Sequence, residues 1–243
     1  MRVKLTLEYD GTAYVGWQLQ AGRDSIQARI EAALAQIFGA AVRVSGAGRT
    51  DSGVHACGQV ASALLPREFH PADLKRALNA LLPADIAVLA AEAVAQDFDP
   101  RRDACSRIYE YRVLNRASRS AFEFHSAWLV RAPLDLEAMR AAAGGFVGEH
   151  DFAAFRTLGS EEKTTRRRVI ASDWCRAGDL FRYRVEATGF LRHMVRTMVA
   201  AMVEVGHGKI APCDIATMMT SGDRAAAPAP APACGLYLME VRY

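Results

Sequence analysis

Residues 3 to 9, V-K-L-T-L-E-Y, alternate apolar with charged or polar side chains. That is the period of a half-buried strand. Asp10-Gly11 ends the run as a turn. The period then changes. Ser25 stands as an N-cap before I-Q-A-R-I-E-A-A-L-A-Q-I-F, an amphipathic helix closed by Gly39. A strand begins at Val42 to Val44 and runs into a glycine-rich stretch, and G-Q-V-A-S-A-L-L is strand-like again. Pro71 to Leu82 predicts a helix stopped by Pro83, and Ile86 to Val94 predicts a strand.

The second half has the same texture. Arg107 to Leu114 and Ser126 to Val130 predict strands, and Asp135 to Phe146 a helix weakened at its end by Gly144-Gly145. Arg167 to Trp174 and Leu180 to Glu186 form a hairpin pattern around Ala177-Gly178-Asp179. Phe190 to Val205 predicts a helix with Leu191, Met194, Val195, Met198 and Met202 on one stripe. A low-complexity A-A-A-P-A-P-A-P-A segment, an extended connector, leads to a last strand, G-L-Y-L-M-E-V-R-Y. Hairpins and helices mixed in this way predict an α+β protein. The expected architecture is two ferredoxin-like, RRM-like α-β sandwich halves, with mainly antiparallel sheets and helices on one face. The halves are residues 1–105 and 106–243, and no sequence repeat relates them.

Composition narrows the class. A chain of 243 residues with 51% hydrophobic residues can bury a sizeable core. No apolar run reaches the ~18 residues of a membrane span. The start, M-R-V-K-L-T-L-E-Y-D, becomes charged too soon for a signal peptide. A soluble, cytoplasmic protein is expected. The five cysteines are odd in number, widely spaced and without a C-x-x-C pair, which favours reduced thiols. The net charge of +3 is unevenly spread. Arg156 to Arg196 holds ten Lys/Arg and five Asp/Glu, a local +5 that leaves −2 for the rest. Asp99 to Arg119 holds six arginines and three acids. Such segregation marks either a polyanion-binding face or a solvated arginine-rich surface.

The stretch S-G-A-G-R-T-D-S-G-V-H-A, Ser45 to Ala56, interrupts the strand pattern. It is not a nucleotide loop: Asp51 takes the place of the third glycine of G-x-G-x-x-G, and no Lys-Ser/Thr follows. A metal site finds no support, since H-E-x-x-H and P-C-x-x-C are missing and His55 reads as a histidine bonded locally. The remaining chemistry is a polar loop presenting one carboxylate. Arg49 and Asp51 share a face of an extended segment, and the arginine keeps the aspartate ionised. Such a carboxylate serves as nucleophile or base. From the stretch alone, a tight turn stapled by a structural Arg–Asp pair is the simpler reading.

The surroundings reverse that preference. G-A-G-R-T-D-S-G-V-H-A resembles the signature of the tRNA pseudouridine synthase A family. Tyr9 to Gln20 (Y-D-G-T-A-Y-V-G-W-Q-L-Q), Ser106 to Tyr111 (S-R-I-Y-E-Y), Gly148 to Arg156 (G-E-H-D-F-A-A-F-R), Gly189 to Val199 (G-F-L-R-H-M-V-R-T-M-V) and Gly235 to Leu238 (G-L-Y-L) are similar to its other motifs, in order. The resemblance implies isomerisation of uridine to pseudouridine in tRNA at anticodon stem-loop positions 38, 39 and 40, without cofactor or metal. It implies Asp51 as the catalytic aspartate, Tyr109 as a ring against the uracil and Arg196 as a cation that could pair with Asp51. Arg49 would hold the phosphate or orient the loop, and Leu236 or Leu238 would line the base pocket. Arg192 is expected at i, i+4 from Arg196 on one helix, and Arg166 and Arg168, with the window around Arg101, would grip phosphates. A homodimer with tRNA in a shared cleft is also implied.

Ser52 stands where the family usually has alanine, and no RNP-type aromatic signature is present. Two rivals remain at this point. One is a tRNA-binding or chaperone module without the chemistry. The other, a glycosidase-like enzyme, lacks a well-placed second carboxylate.

Overall fold

The computed structural model describes residues 1–157 and 164–243. Glu161, Glu162 and Lys163, counted above in the basic window, lie outside the described residues. The chain is a mixed α/β protein of two compact units, Met1–Cys105 with Tyr237–Tyr243, and Ser106–Leu236.

In the first unit, β1 (Arg2–Tyr9) buries Val3, Leu5 and Leu7 completely and leaves Arg2, Lys4 and Thr6 on the other face. The alternation of the sequence is thus the alternation of burial. Strand β1 lies antiparallel between β3 (His55–Leu64) and β4 (Ile86–Val94). The short β2 (Val44–Gly46) pairs antiparallel with the far end of β3, Val44 opposite Ala63. Helix α1 (Ile26–Phe38) begins where Ser25 accepts a hydrogen bond from Ala28 N–H and ends where Gly39 turns left-handed at φ 67°. Its Ile26, Ile30 and Leu34 join Leu74 and Leu78 of α2 (Pro71–Leu81) in the core.

The last strand corrects the sequence reading. β10 (Leu236–Arg242) pairs in parallel with β3, Tyr237 opposite His55 and Leu238 opposite Ala56. Residues 237–243 therefore belong with the first unit, not the second half. Strand patterning shows which face is buried, but not which distant strand completes the ladder.

In the second unit the sheet order is β5 (Ser106–Asn115), β9 (Leu180–Ala187), β8 (Arg166–Ala177), β7 (Gly148–Asp151), all antiparallel. β6 (Trp128–Val130) runs parallel to β5 over Val113–Asn115. β8 and β9 are the expected hairpin, turning at Gly178 with φ 62°. Helix α3 (Leu136–Gly144) is capped by the Asp135 carboxylate, which accepts from Ala138 N–H. α4 (Met194–Gly206) is buried along almost its whole length, and α5 (Asp214–Ser221) follows it. The sequence reading missed α5 and β7, which are too short to show a period.

The predicted helix at 190–205 starts late. His193 is left-handed at φ 63°, the only residue other than glycine with positive φ among the described residues. A left-handed residue cannot continue a right-handed helix, so α4 begins at Met194. Arg192 consequently lies outside the helix and is not an i, i+4 neighbour of Arg196 within it.

Candidate functional site: a braced Arg-Thr-Asp loop and an arginine helix

The 45–56 stretch leaves β2 and is held by its neighbours residue by residue. Ala47 N–H donates to Val60 O at 2.8 Å. Gln59 Nε2 donates to Gly48 O at 2.8 Å. Thr50 turns inward, only 6% exposed, and its hydroxyl lies 2.8 Å from the buried Tyr9 hydroxyl. Arg49, on one side of it, is exposed, and Asp51, on the other, is half-buried. Burial thus alternates over the three residues, as along an extended segment. Trp17 N–H donates to Thr50 O at 3.0 Å, and Gly16 bridges Asp51 through the backbone. Val54 N–H closes a turn on Asp51 O at 3.1 Å.

The glycines serve this close packing. A Cβ on Gly16, whose φ is 103°, would stand 2.4 Å from Thr50 O. One on Gly46 would stand 2.6 Å from the Trp17 ring. The approach these glycines permit is that of the chain's own 10–17 segment. Ser52, the departure from the family pattern, adds a brace: its hydroxyl donates to Tyr14 O at 3.2 Å. Tyr14 in turn donates to Asp85 at 2.7 Å. Burial first, then that carboxylate, pushes the Tyr14 phenol above its usual range. Burial likewise pushes Tyr9 up to about 12, so this hydroxyl is a neutral structural partner.

His55 is buried and local, stacked on Tyr237 with centroids 4.6 Å apart. Its Nδ1 lies 3.2 Å from Gly11 N and 3.1 Å from Asp10 Oδ1. One nitrogen cannot accept from the first and donate to the second, so its protonation decides which bond forms. Leu238, completely buried on β10, is in this unit as well.

The second unit carries the other candidates. Tyr109 sits on β5 opposite Val185 of β9, half-buried, with Phe190 against its ring at 5.1 Å and 84°. Arg196 is half-buried on α4. Its Nε donates to Ala231 O at 2.7 Å, and Ala231 N–H donates back to Arg196 O at 3.1 Å. This reciprocal pair ties the proline-alanine segment to the helix. Tyr111 adds a second tie, donating to Pro232 O at 2.7 Å. The start of α4 is set by neighbours too: Thr157 Oγ1 and His193 Nδ1 are 2.6 Å apart, and Thr157 N–H donates to Arg192 O at 3.2 Å. Arg192 is exposed and Leu236 buried. Arg166 and Arg168 are both exposed on β8, with Arg166 3.8 Å from Glu149 of β7.

Sequence reasoning missed the bracing residues, Tyr9, Tyr14, Gln59, Asp85 and Thr157. Their partners lie between 11 and 71 residues away, and no local pattern announces such pairs. Among the described residues, no group of three or more His, Cys, Asp or Glu is placed to hold a metal ion. No helix among them is long and apolar enough to cross a membrane.

The first unit thus carries a glycine-packed loop with an exposed Arg49 and a half-buried Asp51, and the second a buried helix bearing Arg196. The chain belongs to the tRNA pseudouridine synthase family, whose model matches residues 6–102 and 142–243. That is a family of pseudouridine-forming isomerases, so the chain is an enzyme of this kind. It is 47% identical to the tRNA pseudouridine synthase A of Myxococcus xanthus, over 100% of this chain and 92% of that one. It is 45% identical to the tRNA pseudouridine synthase A of Allorhizobium ampelinum, over 100% of this chain and 95% of that one. Among solved structures, a chain of a Cbf5-Nop10-Gar1 complex aligns with 83% of this chain and 54% of its own, at 17% identity. Its TM-score of 0.31 is too low to inform the fold.

Proposed function

We propose that this isomerase converts uridine to pseudouridine at positions 38, 39 and 40 of the tRNA anticodon stem-loop, with Asp51 as its catalytic carboxylate. The observation that carries the reading is the bracing of the loop. Thr50 is locked inward on Tyr9, and the backbone of Asp51 is bridged to Gly16. A carboxylate whose backbone is held on both sides can be presented to a nucleotide in one geometry. Family membership supplies the reaction to which that geometry is put.

In the reaction the C1′–N1 bond of uridine breaks, the uracil turns, and a C1′–C5 bond forms. The C5 proton leaves to solvent and N1 gains one. Attack on C1′, addition to the base and removal of a ribose proton all require an ionised carboxylate beside the nucleotide. Tyr109 stacks on the detached uracil, and its half-buried ring, packed edge-on against Phe190, is fixed for that task. Arg196 supplies the fixed cation of the site. Its bond to Ala231 uses Nε and orients the guanidinium. Arg49 contacts phosphate or orients the loop, and Leu236 and Leu238 line the base pocket. Arg166, Arg168 and Arg192, all exposed, hold the RNA backbone. A stem uridine has to be flipped out to react. The proposed enzyme needs neither cofactor nor metal, works as a homodimer on tRNA, and is cytoplasmic.

The test uses unmodified tRNA tritiated at uridine C5. Wild type is expected to release the label to water, and Asp51→Asn to release none while still binding tRNA. Release by Asp51→Asn would remove Asp51 from the chemistry. A folded wild type that binds several tRNAs and releases nothing would make the chain a binding module.

A further inference from the structure

The second unit presents an aromatic surface that the proposed chemistry does not use. From the last residue of β5 to the start of β6 the chain reads N-R-A-S-R-S-A-F-E-F-H-S-A, residues 115–127. Phe122 is 96% exposed and Phe124 62% exposed. Rings of this size are ordinarily covered, and two so close together in an open loop are a patch rather than scatter.

The loop beneath them is rigidly built. Ser120 Oγ accepts from the N–H groups of both Phe122 and Glu123, each at 3.2 Å. Arg116 donates from Nε to Ser118 O at 3.0 Å and from Nη2 to Arg119 O at 3.1 Å. Ser126 donates to the Glu123 carboxylate at 2.5 Å, and Ala127 N–H to Glu123 O at 3.1 Å. The backbone is thus ordered in advance while the rings face solvent, which lowers the entropic cost of a contact. His125 packs edge-on to the Phe124 ring at 4.5 Å.

The charge around the rings selects the occupant. Arg119 of the loop is exposed and the half-buried Arg116 lies 3.7 Å from the Asp179 carboxylate, whereas the loop's one acid, Glu123, is half-buried and engaged by Ser126. Exposed rings beside an exposed arginine are the chemistry that stacks unpaired nucleobases while the cation meets a phosphate. A second copy of the chain fits less well. Two phenylalanines offer roughly 300–500 Å², short of the ~800 Å² per partner of a stable interface.

We propose that the 115–127 loop is a stacking platform for unpaired bases of the tRNA, with Phe122 and Phe124 against base faces and Arg119 against the backbone. This rests on the tRNA reading above.

The experiment measures equilibrium binding of unmodified tRNA to wild type, Phe122→Ala, Phe124→Ala, the double variant and Phe122→Trp. Each alanine is expected to raise Kd by about fivefold or more, with KM rising by the same factor. The slope of log Kd against log salt should not change, because stacking releases no counterions. Phe122→Trp should bind at least as well as wild type, and a fully paired RNA duplex should not distinguish the proteins. An unchanged Kd in a double variant that melts like wild type overturns the proposal. So does sedimentation showing that the lost affinity follows loss of a dimer, which would make the loop a contact between copies. Wild type that binds tRNA without releasing tritium would refute the isomerase reading and leave this platform standing.

Discussion

Thr50→Val tests whether the loop is held as described. The substitution keeps the side-chain shape and removes the hydroxyl that lies 2.8 Å from Tyr9 OH. Tyr9 would keep only the Gln59 amide, 3.4 Å away, which donates to it and cannot accept its proton. Both residues are buried, so water cannot substitute. A buried hydroxyl deprived of its partner costs about 1–3 kcal/mol. Tyr9→Phe should cost a similar amount by orphaning Thr50. The double variant leaves neither hydroxyl behind, so its loss should fall short of the sum by about 1–2 kcal/mol. Urea unfolding of the four proteins reads all these quantities. Thr50→Ser, which keeps the hydroxyl, should restore most of the stability. If the same brace aims Asp51, Thr50→Val also slows tritium release by roughly ten- to a hundredfold. Additive single costs, or a Thr50→Val protein as stable as wild type, would refute the reasoning.

Tyr9 also predicts alkaline behaviour. Burial holds its phenol at about 12 against the usual 10.0, so the folded state keeps a proton the unfolded chain has lost. That contribution is complete below pH 10 and is lost as pH rises toward 12, an amount of roughly 2–3 kcal/mol. Tyr9→Phe should therefore lose less stability than wild type across that window in urea titrations, and parallel curves would contradict the shift. Gly16→Ala places a Cβ against Thr50 O in a left-handed residue. It should cost about 2 kcal/mol or more, lowering Tm by roughly 2–4 °C per kcal/mol; melting at the wild-type temperature would show that the contact yields. Arg168→Glu should weaken tRNA binding and reduce its salt slope by about one or more, and an unchanged slope would take β8 out of the RNA footprint.

Local features were legible where a local pattern caused them. The alternation of Val3, Leu5 and Leu7, the Ser25 cap and the turn at Gly178 appear in the structure where the sequence implied them. The start of α4 was not legible. The apolar stripe continues back through Leu191, yet His193 is left-handed and meets Thr157. Periodicity cannot register a contact made 36 residues away. The candidate residues were chosen by family resemblance, and spacing alone left Asp51 as a turn residue as readily as a catalytic one.

From the order of the residues follow most of the element types, α5 and β7 excepted, together with the buried strand faces, the family and the glycines of the 45–56 loop. Those depend on residue identity and short spacing, which a linear reading contains. Tertiary structure alone decided what the glycines are for, since only packing shows Trp17 and Thr50 against them. It alone decided that β10 completes the first unit beside β3. It alone decided that Arg196 is anchored through Ala231. Each is a pairing between distant segments, settled by which buried donors, acceptors and surfaces must find partners once the chain is closed.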